Sequence, residues 1–150
     1  MRTILYYIAF LLLLIPFVAS GQSRRAIAPP EFEGQGSDRV PFSPGILDGN
    51  TLYVSGQIGV DLHNRKIPDE FEAEVRTCLQ NIRIVLKAAG MDYGNIDFVQ
   101  VYLVNMDQFT RMNAVYASMI KSPRPARVTA GVTQLAVPNA HIEISVIAHK

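Results

Sequence analysis

Two charged side chains interrupt apolar, strand-like runs near the end of the chain. Arg127 lies in Pro125-Ala126-Arg127-Val128-Thr129-Ala130-Gly131-Val132, and Glu143 lies in Ala140-His141-Ile142-Glu143-Ile144-Ser145-Val146-Ile147-Ala148. A carboxylate taken out of water without a partner is costly, so a Glu inside a core strand calls for a cation nearby, a raised pKa, or both. Arg127 is the obvious candidate if the two segments form neighbouring strands. Two readings then stand side by side. The pair is a structural ion pair, or it is a ligand site in which a planar guanidinium grips a carboxylate and the acid moves a proton.

Other chemistries find less support. His63, His141 and His149 are scattered and Cys78 is the single cysteine, so no metal-ligand spacing emerges. His141 and Glu143 share the parity of one strand face, which is more often a polar surface contact than a ligand pair. Cys78 falls beside Val75, Leu79 and Ile82 on a helical repeat, the setting of a small buried hydrophobe rather than of a nucleophile. Neither a nucleophile elbow nor a phosphate-cradling glycine loop is present. With one cysteine no intrachain disulfide can form, and the fold holds by packing alone.

A chain of 150 residues has room for one compact domain. Formal net charge is +1 with the basic residues dispersed, which argues against a nucleic-acid partner. The start of the chain has the form of a secretory signal. Arg2 is followed by an uncharged apolar run from Ile4 to Ile15, then Pro16 and the small residues Val18-Ala19-Ser20-Gly21. Cleavage near Ser20 or Gly21 is expected, giving an exported protein, periplasmic or secreted; an uncleaved segment would be its sole tie to a membrane. Arg2 is the only charged residue before Arg24, so the mature chain is neutral, which suits a protein that buries surface in an oligomer.

The elements that must position Arg127 and Glu143 follow from periodicity. Residues 22–37 are rich in Pro and Gly and read as a linker, with the domain over residues 38–150. Val40 to Leu47 and Thr51 to Val60 flank Asp48-Gly49-Asn50 as a hairpin, and Gly56 marks a bulge or a close backbone approach. Asp69 with Glu72 gives a capped helix start. Phe71, Val75, Leu79, Ile82, Val85, Leu86 and Ala89 then form an apolar stripe that Gly90 ends. A strand over Phe98 to Val104, a helix carrying Phe109, Met112, Tyr116, Met119 and Ile120, and strands near Ala126 to Val132 and Ile142 to His149 complete the order ββαβαββ. This is an α+β sandwich, a mixed sheet covered by two helices.

At this resolution the chain resembles the RidA family of reactive enamine/imine deaminases, also described as L-PSP or perchloric-acid-soluble proteins. The resemblance runs through Val40-Pro41-Phe42-Ser43, the stretch Gly49 to Ile58 with its Ser55-Gly56-Gln57-Ile58, Asn81 to Gly90, Met106 to Tyr116, Pro125-Ala126-Arg127 and Ile142-Glu143-Ile144. It implies a chorismate-mutase-like fold, a homotrimer with ligand sites between subunits, no metal or organic cofactor, and hydrolysis of imino acids to keto acids and ammonia. In that scheme Arg127 clamps the substrate carboxylate and Glu143 positions or deprotonates water. Ser55, Gly56 and Asn113 line the cleft. Phe42 stands where many members have Tyr, Thr129 where the best-known members have Cys, and Ser145 replaces a second acid. The alternatives are a trimer that binds small carboxylates without turning them over, and an endoribonuclease, which the near-neutral charge disfavours.

Overall fold

The computed structural model describes residues 24–33 and 41–150; the signal-like stretch lies outside the described residues. Six strands and two helices follow one another along the chain: β1 (Arg25–Ile27), β2 (Gly45–Asp48), β3 (Thr51–Ile58), α1 (Phe71–Ala88), β4 (Ile96–Leu103), α2 (Phe109–Met119), β5 (Ala126–Gly131) and β6 (Ile142–His149). They build one mixed sheet in the order β1-β2-β3-β6-β4-β5, antiparallel throughout except for the parallel pair β4 and β5. Parallel neighbours need a crossover, and α2 supplies it.

The expected α+β architecture is present, with one strand more than the composition suggested. Arg25–Ile27 pairs antiparallel with β2, and Ile27 and Phe32 are buried. Part of the segment read as linker therefore belongs to the sheet. Its prolines flank the strand rather than interrupt it, and an edge strand tolerates such neighbours.

Both helices pack on one face of the sheet. Val75, Cys78, Leu79, Ile82, Val85 and Leu86 of α1 are fully buried against Leu52, Leu103, Ile142, Ile144 and Ala148. The stripe was legible because i, i+3, i+4 spacing puts those side chains on one side of the helix. Its end is as expected: Gly90 takes φ of 74°, its N–H donates to Lys87 O, and Met91 N–H donates to Leu86 O. These two bonds form a Schellman cap, and the left-handed backbone explains the glycine. The start differs. Glu70 occupies the N-cap position and makes no side-chain cap, while Glu72 forms a two-point ion pair with Arg111 of α2 at 2.6 Å. The acid read as half of a capping box instead ties the two helices together.

Among the described residues no helix packs on the opposite face of the sheet. Residues in lateral register share a face. Tyr53, Ile147 and Phe98 form one row on that side, Ser145, Gln100 and Val128 a second, and Glu143, Tyr102 and Ala130 a third. Tyr53 and Val128 are about half exposed there.

Candidate functional site

Register separates the two residues that sequence placed together. Arg127 lies on β5 opposite Val99, and Glu143 lies on β6 opposite Tyr102; β4 runs between them. Val99 is fully buried beneath the helices, so Arg127 faces the helix side, whereas Tyr102 and Glu143 stand on the open side. Two strand spacings across and three residues along put their Cα atoms about 14 Å apart. The expected ion pair is therefore absent. Among the described residues the ion pairs are Arg83 with Asp92, Lys87 with Asp92, Arg111 with Glu72 and His141 with Glu74. Sequence shows that a segment is a strand, but not which strand is inserted beside it.

The groups that hold the Arg127 side chain are neutral. Its Nη2 donates to Asn113 Oδ1 at 2.7 Å, its Nη1 approaches Met112 Sδ at 3.9 Å, and its guanidinium stacks over the Tyr116 ring at 4.7 Å from the centroid. Stacking and one amide hold the fork in place and leave most of its five N–H donors for a ligand. Asn113, Tyr116, Ala117, Arg124, Pro125 and Arg127 line a cleft of about 460 Å³. Thr129, two residues on, shares the helix-facing side, and its Oγ1 is buried without a hydrogen-bond partner. Asn113 and Arg127 thus form one half-site at the edge of the sheet, with Thr129 further along β5 on the same side.

The second half-site is built where β3 bulges. The register between β3 and β6 shifts between Val54 and Gln57, and a Cβ added to Gly56 would land on Glu143 Oε1. Glycine is needed here because the Glu143 carboxylate lies against the backbone, so the bulge and the close approach read from Gly56 are the same feature. Ser55 Oγ donates to Pro44 O at 3.1 Å and accepts from Gln57 Nε2 at 3.2 Å, so this hydroxyl also braces the bulge. Burial raises the Glu143 carboxyl above the ordinary glutamate value, and among the described residues no cation offsets it. Phe42 precedes β2 and is largely exposed.

Three residues that sequence reasoning passed over hold this second half. Glu74, on α1, is fully buried and accepts from His141 N at 2.7 Å and His141 Nδ1 at 2.8 Å. It thereby pins the residue that leads into β6, two positions before Glu143. His141 is consequently turned to α1 rather than paired with Glu143 on one strand face. Buried Asn81 donates to Ile58 O at 3.0 Å and Val60 O at 2.8 Å, fixing the end of β3. Gln57, also buried, closes the bulge through Ser55. Glu74 did leave a signal: it falls three residues after Phe71 and four before Cys78, an acid on an apolar stripe. Cys78 itself is fully buried, its Sγ 3.1 Å from Gln57 O, and burial pushes its thiol far above the usual range, so it is no nucleophile.

Among the described residues no group of three or more His, Cys, Asp or Glu side chains gathers to hold a metal, and no helix is long and apolar enough to cross a membrane.

The family model described as Endoribonuclease L-PSP matches residues 36–150. A RutC family protein of Sulfurisphaera tokodaii is 41% identical over 111 residues, which cover 73% of this chain and 88% of that one. The crystal structure of RidA from an Antarctic Psychrobacter superposes with a TM-score of 0.72 at 28% identity, covering 75% of this chain and 90% of that one. Similar too is E. coli TdcF with bound serine, with a TM-score of 0.71 and 27% identity over 74% and 89% of the two chains.

Proposed function

The chain belongs to the Endoribonuclease L-PSP family, and on that premise we propose that it is a deaminase that hydrolyses reactive imines or enamines of small α-amino acids to α-keto acids and ammonia. One observation carries the reading. Among the described residues the protein presents a guanidinium with no counter-carboxylate and a carboxylate with no counter-cation, about 14 Å apart on opposite sides of one sheet. A small imino acid cannot bridge both within a chain. Two copies can bring them together, the Arg127 half of one meeting the Glu143 half of the next. The half-exposed sheet face that carries Tyr53, Phe98, Tyr102 and Val128 is the surface a neighbouring copy would cover. We take the assembly to be a homotrimer, a closed ring of such heterologous contacts.

In the assembled site Arg127 binds the substrate carboxylate through two parallel N–H bonds, which turns the adjacent C=N carbon toward water. Glu143, its basicity raised by burial, takes a proton from the attacking water. The proton passes to nitrogen to give a carbinolamine; the hydroxyl proton of this adduct is then carried by Glu143 to the amine, the C–N bond breaks, and ammonia leaves as the carbonyl forms. Gly56 and Ser55 offer the backbone and oxygen that line the Glu143 side, Asn113 and Thr129 line the other, and Phe42 supplies an aromatic wall without a phenol. The bound serine of the E. coli relative is in keeping with a ligand of this size and charge. No organic cofactor or metal enters the scheme.

The apolar start and the Val18-Ala19-Ser20 exit support export with cleavage near Ser20 or Gly21. Ammonia release from a short-lived imine, generated in the assay and supplied to the purified protein, tests the activity. Binding of small carboxylates without ammonia release would make the protein a binder and end the deaminase reading.

A further inference from the structure

We propose that the substrate carries two acidic groups, the imine of an amino dicarboxylic acid, with Arg127 on the carboxylate beside the reacting carbon and Arg124 on the second. The inference rests on the deaminase reading above and names its substrate class. It starts from the cleft of about 460 Å³ at the junction of α2 and β5. Arg124 and Arg127 both line it, three residues apart on the segment that enters β5, and none of the six lining residues is an acid. Among the described residues neither arginine belongs to an ion pair.

The remaining polar groups are donors as well. Tyr116 is 4% exposed, yet its hydroxyl has no hydrogen-bond partner. Asn113 spends its carbonyl oxygen on Arg127 at 2.7 Å, which leaves its two amide N–H groups as what it can offer. Two guanidiniums, a buried O–H and an amide NH₂ make a lining with an excess of donors and of positive charge. A buried donor without an acceptor is unfavourable, and a ligand rich in anionic oxygens relieves it. A single carboxylate occupies one guanidinium fork and leaves the other unfilled. A second carboxylate on the same ligand satisfies both, and the Tyr116 ring stands against Arg127, on the side of the first. Ala117 and Pro125 are short walls that leave room for the chain between the two acids.

Calorimetric titration separates ligand choice from chemistry. The purified protein is titrated with 2-oxoglutarate and with 2-oxobutanoate, and the series is repeated on Arg124→Gln. The dicarboxylate is expected to bind about tenfold more tightly than the monocarboxylate, and the ratio is expected to fall to about one in Arg124→Gln. Equal affinities in the parent, or a ratio that survives Arg124→Gln, would each overturn the assignment. The outcome is independent of turnover. A dicarboxylate preference without ammonia release defeats the deaminase reading alone, and ammonia release without the preference defeats this inference alone.

Discussion

The two halves of the candidate site are built in opposite ways. Arg127 stands on β5, an edge strand, and is held by side chains: the Asn113 amide, the Tyr116 ring and the Met112 sulfur. Glu143 stands on β6, in the interior of the sheet, and is held by backbone: the Gly56 bulge, the β3 end fixed by Asn81, and the β6 entry fixed by Glu74. A side-chain cradle on an edge can be altered with little effect on folding, whereas a site wedged into the central strands shares its supports with the core. Function and stability are therefore separable at the arginine and entangled at the glutamate.

That contrast is open to attack at four points, in decreasing order of effect. Glu143→Gln keeps size and removes the base, and should lower turnover by about 10²- to 10⁴-fold while a small carboxylate still binds. Loss of binding along with turnover would show that Glu143 also holds the ligand. Arg127→Lys replaces a bidentate fork by a point charge. The expected cost is about 2 to 3 kcal/mol, roughly a hundredfold in kcat/KM, with the melting temperature unchanged. A fall in melting temperature would place Arg127 in the core's support and erase the distinction between the halves.

Glu74→Ala probes the other side. It removes a buried acceptor of two hydrogen bonds and leaves His141 N without a partner, which should destabilise the fold by about 3 kcal/mol in denaturant titration. Unchanged stability would mean that Glu74 supports neither β6 nor Glu143. The smallest effect is that of pH on Glu143. Because burial raises its carboxyl in the folded state, the folded protein binds this proton more readily than the unfolded chain. Stability from this group is full below the ordinary glutamate range and is lost as pH rises through the raised value. Glu143→Gln does not suffer that loss. Its melting temperature should match the parent's in acid and exceed it at neutral pH, and a lower value at neutral pH would reveal a cation beside Glu143.

Much of this was legible in the sequence where it depended on local rules. The α1 stripe, the Gly90 cap, the Asp48 to Thr51 hairpin and the role of Gly56 each follow from a few neighbouring residues. Lateral strand order does not. Arg127 and Glu143 were each recognised from a charge in an apolar run, yet β4 lies between them, because α2 returns the chain beyond β4 and β6 then enters on β4's other side. Glu72 had the spacing of a capping acid and was claimed by Arg111 across a helix pair instead. The strand at Arg25–Ile27 was hidden by the prolines and glycines around it.

The central claim, that a working site takes its arginine from one copy and its glutamate from another, is tested most directly by mixing two dead proteins. Arg127→Ala and Glu143→Gln are each purified, unfolded, combined in equal amounts and refolded together, and ammonia release is measured. In a ring of random composition about a quarter of the sites pair an intact Arg127 with an intact Glu143, so activity should return to about a quarter of the parent's. Activity no greater than the average of the two variants refolded alone would contradict the account.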